Sequence, residues 1–128
     1  RLCLRSARPW QGDARIGSLW DVVLRDLTRT WKLPMLADHC HVSGEHLRRL
    51  CLRELGRTPM EHVTYIRIQR ARELLETHSD KLEVVAAQVG YRSADVFTRA
   101  FIRCVGMPPS DYRARSVQDG AAPPAITS

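Results

Sequence analysis

The chain has 128 residues, is 44% hydrophobic and 27% charged, and carries a net charge of +6. That length suits one domain of usual size or two very small ones, and the apolar content excludes a largely disordered chain. A basic surplus on so small a protein points to a polyanionic partner, nucleic acid before others, against the plainer reading of a solvated basic surface with no partner.

With only two Phe, three Tyr and three Trp, the core must be largely aliphatic. The cysteines are Cys3, Cys40, Cys51 and Cys104, and none forms a CxxC pair. Cys40, Cys51 and Cys104 fall at apolar positions of predicted helices, where a thiol behaves as a small hydrophobe. No secretory signal or long apolar run is visible, so the expected compartment is the reducing cytoplasm. The chain starts at Arg1 rather than Met, as expected for a piece of a longer protein.

Residues 1–12 have no clean period, are punctuated by Pro9 and Gly12, and read as a linker remnant. Asp13 opens a helix with Ile16, Leu19, Trp20, Val23, Leu24 and Leu27 at helical spacing, ending between Thr28 and Trp31. Pro34 suits the first turn of the next helix, Leu33 to Cys40, because its missing N–H has no intrahelical partner there. His41 and Val42 form a break. Ser43 then caps a helix that turns Leu47, Leu50, Cys51 and Leu55 inward and stops at Gly56.

Thr58 caps, and Pro59 begins, a long helix to about Thr77 whose apolar face is Val63, Ile66, Ala71, Leu74 and Leu75. A short helix with Leu82, Val85, Ala86 and Val89 stops at Gly90. Ser93 caps the next, which should bury Val96, Phe97, Ala100, Phe101 and Cys104 before Gly106. Pro108 and Pro109 forbid a simple continuation. The tail SVQDGAAPPAITS is small, Pro-containing and unperiodic, and is expected to be disordered. Nothing alternates with period two. The expected fold is all-α, with about seven helices. Residues 13–57 form a first subdomain, 58–78 a linking helix, 79–114 a second subdomain and 115–128 a tail.

Two segments repeat. Ala37 matches Ala86 and Cys40 matches Val89; after one extra residue in the second turn, Ser43 matches Ser93, Leu47 Phe97, Arg49 Arg99, Cys51 Phe101, Gly56 Gly106 and Pro59 Pro109. The period is about 50 residues. Each unit is a short helix, a tight turn and a capped second helix, the helix-turn-helix design. The small Ala37 and Ala86 let the paired helices approach closely. The second helix of such a pair fits the B-DNA major groove, about 12 Å wide. At about 1.5 Å rise per residue the linking helix is roughly 28 Å long. Successive major grooves on one DNA face are about 34 Å apart, so the two second helices are expected to enter adjacent grooves of one duplex. On the first of these helices Glu45, Arg48, Arg49 and Leu52 share a face, opposite Leu47, Leu50 and Cys51.

RIQRARELL from Arg67, VVAAQVGYRSADVFTRAF from Val84 and GMPPSDYR from Gly106 resemble the DNA-binding domain of the AraC/XylS family of bacterial transcription regulators. The resemblance covers roughly residues 13 to 114 and is tighter in the second half. It implies a sequence-specific regulator of transcription, with a double-stranded DNA operator and RNA polymerase as partners. A separate sensor or dimerisation domain, often N-terminal in the family, is implied and is missing from this chain.

It places base-reading positions on Glu45, Arg48 and Arg49, with Gly44 opening the helix, and by the repeat on Ala94, Asp95, Thr98 and Arg99. Arg48 and Arg49 can pair bidentately with guanine, and Arg99 suits guanine or phosphate. Thr98 suits a phosphate or a thymine methyl. Glu45 can accept from cytosine N4 or simply favour the positive helix N-terminus, and Asp95 has the same second reading. Ser43 and Ser93 are phosphate candidates whose other role is N-capping. Arg92, Arg103 and Arg113 suit phosphate or solvent. Tyr112 is expected in the second core with its hydroxyl on a partner. Trp20, Trp31 and Tyr65 are read as structural, as is Arg67 in preference to a phosphate contact.

The run HCHVSGEH brings His39, Cys40, His41 and His46 close in sequence, but a zinc site needs about four convergent ligands, and Cys40 should face the core. No nucleophile–base pair, phosphate-cradling glycine loop or paired acids stand out, so neither an enzyme nor a cofactor is expected. QRARELLETH is basic and amphipathic, but its acids and the apolar pattern around it favour an ordinary helix face over a membrane surface. The alternative to a DNA-binding regulator is a protein-interaction module with weak or no DNA affinity.

Overall fold

The computed structural model of the protein describes residues 14–118. The expected linker remnant, Asp13, Cys3 and residues 119–128 of the expected tail lie outside them. Seven helices and no strand occur among the described residues: α1 Ala14–Arg25, α2 Leu33–Cys40, α3 Gly44–Leu55, α4 Pro59–Thr77, α5 Leu82–Gln88, α6 Ala94–Val105 and α7 Pro109–Gln118. They divide into two compact units. The first holds residues up to Asp26 and Trp31–Val63; the second holds Leu27–Thr30 and the chain from Thr64.

In the first unit α1 packs on α2 and α2 on α3. Ile16, Leu19, Val23, Leu36, Cys40 and Leu47 are wholly enclosed. Trp20 stacks edge-on against His62, ring centroids 4.5 Å apart, and the Trp31 indole N–H donates to the Asp26 carbonyl at 2.9 Å. Burial, and then the charge of Arg57, lowers the His62 pKa to about 3, so its ring is neutral. A reciprocal cap starts α4. The Glu61 N–H donates to Thr58 Oγ1 at 3.2 Å, and the Thr58 N–H donates to the Glu61 carboxylate at 2.8 Å.

In the second unit α5 packs on α6 and α6 on α7. Ile68, Ala71, Leu75, Val85, Phe97 and Phe101 centre its core. Tyr91, Phe97, Phe101 and Tyr112 form a run of tilted rings with centroids 5.8, 5.7 and 5.6 Å apart. The Tyr112 hydroxyl donates to the Glu76 carboxylate and accepts from Arg72 Nε at 3.3 Å, which ties α7 to the end of α4. Arg67 is structural, as expected, but through carbonyls. Its guanidinium donates to the Leu27 carbonyl at 3.2 and 3.1 Å and to the Arg29 carbonyl at 2.8 Å.

Several burial expectations fail for reasons of register. Leu24 is 54% exposed. Ile16, Leu19, Trp20 and Val23 are the buried α1 stripe, and Leu24, one turn after Trp20, lies at its edge, where the core does not cover it. On α4, Ile68 is buried and Ile66 only half-buried, because Val63 serves the first unit while Ile68, Ala71, Leu74 and Leu75 serve the second. One continuous stripe therefore does not run along this helix. Val96 is exposed at the edge of the Phe97–Ala100–Phe101 stripe, and Cys104 is exposed while Val105 is half-buried. Helix α1 ends at Arg25, before the expected stop. Helix α7 runs through Ser116, which is buried, to Gln118, past residue 115 where the tail was expected to begin.

Candidate nucleic-acid interface

The two second helices are built alike. Helices α3 and α6 each have 12 residues. Ser43 Oγ accepts from the His46 N–H at 3.1 Å, and Ser93 Oγ accepts from the Val96 N–H at 3.2 Å. Gly56 and Gly106 end them in the left-handed region, at φ 77° and 94°. Both serines therefore act as caps. Capping uses an oxygen lone pair and leaves each hydroxyl proton available to a phosphate.

The turns before these helices share a left-handed residue at the same place in the repeat, His41 at φ 60° and Gly90 at φ 102°. His41 is exposed and has room for its side chain. Gly90 has none: a Cβ there would lie 2.4 Å from the Leu27 carbonyl oxygen and 2.9 Å from Arg67 Nε.

On α3, Leu47, Leu50 and Cys51 are buried, which fixes the opposite face toward solvent. Glu45, Arg48, Arg49 and Leu52 are all exposed on it. Arg49 Nη1 lies 3.3 Å from the Glu45 carboxylate, one turn back. Both groups are mostly in water, so this pair is weak and easily exchanged for another anion. Arg48 has no hydrogen-bond or ion-pair partner among the described residues. Arg53 pairs with Glu54 at 3.3 Å. Burial, with Cys40 nearby, pushes the Cys51 thiol up to about 11, so it stays neutral in the core.

On α6, Phe97, Ala100 and Phe101 are buried. Asp95 and Arg99 are exposed, while Ala94 and Thr98 are half-buried. Arg92 is exposed just before the helix and Arg103 on its last turn. Arg113 is half-buried, its Nε donating to the Leu75 carbonyl at 3.5 Å, which directs it inward.

Leu52, Val96 and Ile102 are exposed apolar residues on these two helices. Spacing placed Leu52 on the α3 face. The same rule places Ile102 beside Thr98 and Arg99, a signal the apolar pattern alone hides.

Cys40 is buried while His39, His41 and His46 are exposed. Among the described residues no group of three or more His, Cys, Asp or Glu side chains converges on a metal-sized site, and no helix is long and apolar enough to cross a membrane.

A family model described as a helix-turn-helix domain matches residues 36–115. A Streptomyces lividans protein named as an AraC-like transcription regulator is 38% identical over 89 residues, 70% of this chain and 29% of that protein. The chain thus spans less than a third of that relative's length. The DNA-binding domain of AdpA, solved in complex with a target DNA, has the same fold, with a TM-score of 0.78 at 24% identity over 84% of this chain and 97% of that one. A DNA-binding transcriptional dual regulator from Escherichia coli K-12 superimposes with a TM-score of 0.73 at 28% identity, over 87% of this chain and 98% of that one. The chain belongs to the AraC/XylS family and has the helix-turn-helix fold of its DNA-binding domain.

Proposed function

We propose that this chain is the DNA-reading part of a transcription regulator, binding double-stranded DNA sequence-specifically with α3 and α6 in adjacent major grooves. The observation that carries this reading is the duplicated design. Each unit buries one side of a Ser-capped, 12-residue helix and leaves an arginine-bearing side in solvent. Arg48 and Arg49 read guanine, Arg99 reads guanine or holds a phosphate, Thr98 meets a phosphate or a thymine methyl, and Ala94 lies at a base-reading position beside them. Asp95, like Glu45, supports the positive helix end or accepts from cytosine N4. Ser43, Ser93, Arg92 and Arg103 hold phosphates on either side. RNA polymerase and a sensor or dimerisation domain outside this chain are the further partners, and the cytoplasm the compartment, that this role requires.

Fluorescence anisotropy with duplexes selected from a random pool tests the reading. Each phosphate neutralised should steepen the fall of log K with log salt by about 0.9. Arg49→Ala and Arg99→Ala should each relax discrimination by about 1–3 kcal/mol, at base pairs about one helical turn apart. Binding that ignores both salt and sequence would instead favour a protein-interaction module. If both variants alter the same base step, the two-groove mode fails.

A further inference from the structure

We propose that Leu52 and Ile102 are specificity residues, each selecting a thymine by contact with its C5-methyl group. This deepens the reading above and rests on it. Leu52 is 39% exposed and Ile102 41% exposed, so each leaves much of its side chain in water on a face that also carries an exposed arginine. They occupy the same place in the repeat, eight residues into their helices, which start at Gly44 and Ala94. Leu52 follows Arg48 and Arg49 by four and three residues. Ile102 follows Thr98 and Arg99 by the same steps. Residues at these spacings share a helix face, so whatever duplex meets the arginines also meets the two aliphatic side chains.

Neither residue serves its unit's core, which Leu50 and Cys51 complete on α3 and Phe101 on α6. Leu52 lines a shallow open depression with His46, Arg49, Leu50 and Arg53, whose basic groups suit an anionic partner. In the major groove the apolar group a base edge offers is the thymine methyl, and aliphatic side chains recognise it by excluding water. Three to four residues along a helix is about 4.5–6 Å, or one to two base-pair steps. The thymine should therefore lie one or two base pairs from the base that the neighbouring arginine reads.

The test uses the whole chain and duplexes it selects from a random pool, with each thymine replaced singly by uracil, which removes only the methyl group. Wild-type binding should weaken about fourfold at one thymine per unit, the factor expected for one methyl group taken out of water. Leu52→Ala should abolish the response at the first position and keep it at the second, and Ile102→Ala the reverse. Both changes are on the surface, and unchanged helical circular dichroism will show that the fold persists. Uniform indifference of the wild type to uracil, selected sites without thymine near the arginine-read bases, or a full methyl response in both variants overturns the proposal while leaving DNA reading intact. Absence of any salt-dependent duplex binding overturns both together.

Discussion

Gly90 offers a sharp test of how the second unit is held. At φ 102° its conformation disfavours any side chain, and the added Cβ of Gly90→Ala would meet the Leu27 carbonyl oxygen at 2.4 Å. Gly106, in the same unit, has φ 94° and nothing within 4 Å of its Cβ position. Gly106→Ala therefore measures backbone strain alone. A left-handed L-residue costs about 1–2 kcal/mol, offset by about 0.4–1 kcal/mol because the unfolded chain loses freedom too. The net cost is about 1 kcal/mol. Gly90→Ala carries the same strain and must also push the Leu27 carbonyl off Arg67. A hydrogen bond from a charged donor contributes about 1.5–3 kcal/mol, so losing one brings the total to about 3 kcal/mol. Urea unfolding followed by far-ultraviolet circular dichroism reports both units, while Trp20 and Trp31 fluorescence reports the first. With a slope near 1 kcal/mol per molar urea, the two variants should differ by about 2 M in the midpoint of the second unit's transition. Equal midpoints would refute the claim that close approach, rather than φ alone, demands glycine at this turn.

Glu45→Gln removes the partner of Arg49 and a negative charge from the proposed reading face. Duplex affinity should rise severalfold at low salt and less at high salt, as anisotropy will show. A loss confined to one C·G pair would instead assign Glu45 to cytosine N4. His62 has a folded pKa of about 3 against an ordinary value of 6.5. The neutral ring favours the fold, so its contribution is complete above pH 6.5 and is lost as pH falls from there toward about 3. The limiting slope is about 1.4 kcal/mol per pH unit. His62→Phe keeps a ring against Trp20 and should flatten the pH dependence of the first unit between pH 7 and 5, read by Trp fluorescence; the same slope in both proteins would remove His62 as its source.

The helix boundaries were largely legible because they are written in local chemistry. Ser43, Ser93, Gly56, Gly106 and Pro59 each satisfy or interrupt a helix end within a few residues of chain, and α3 and α6, and the start of α4, lie where these residues predict. The outward placement of Glu45, Arg48, Arg49 and Arg99 followed from the buried stripe on the other side of each helix. Burial at the stripe's edges was not legible. Leu24, Val96 and Cys104 are as apolar as their buried neighbours, and only the three-dimensional reach of the core decides which of them it covers. On α4 a single stripe was the wrong picture, because one helix serves two cores in succession.

The turn before the second helix shows why a repeat can be visible in sequence while its constraints are not. His41 and Gly90 occupy equivalent places and both take left-handed backbone. Conformation alone would make glycine preferable at both, yet the first unit accepts histidine because its side chain points into solvent. In the second unit the Leu27–Thr30 segment, which precedes Gly90 by some sixty residues, closes over the turn through Arg67. The demand for glycine thus comes from a long-range contact, which no window around QVGYRS contains. The same contact accounts for Arg67: its charge is spent on backbone carbonyls, and desolvation lowers its pKa. On the reading proposed above, DNA is met by the exposed arginines of α3 and α6 and not by Arg67.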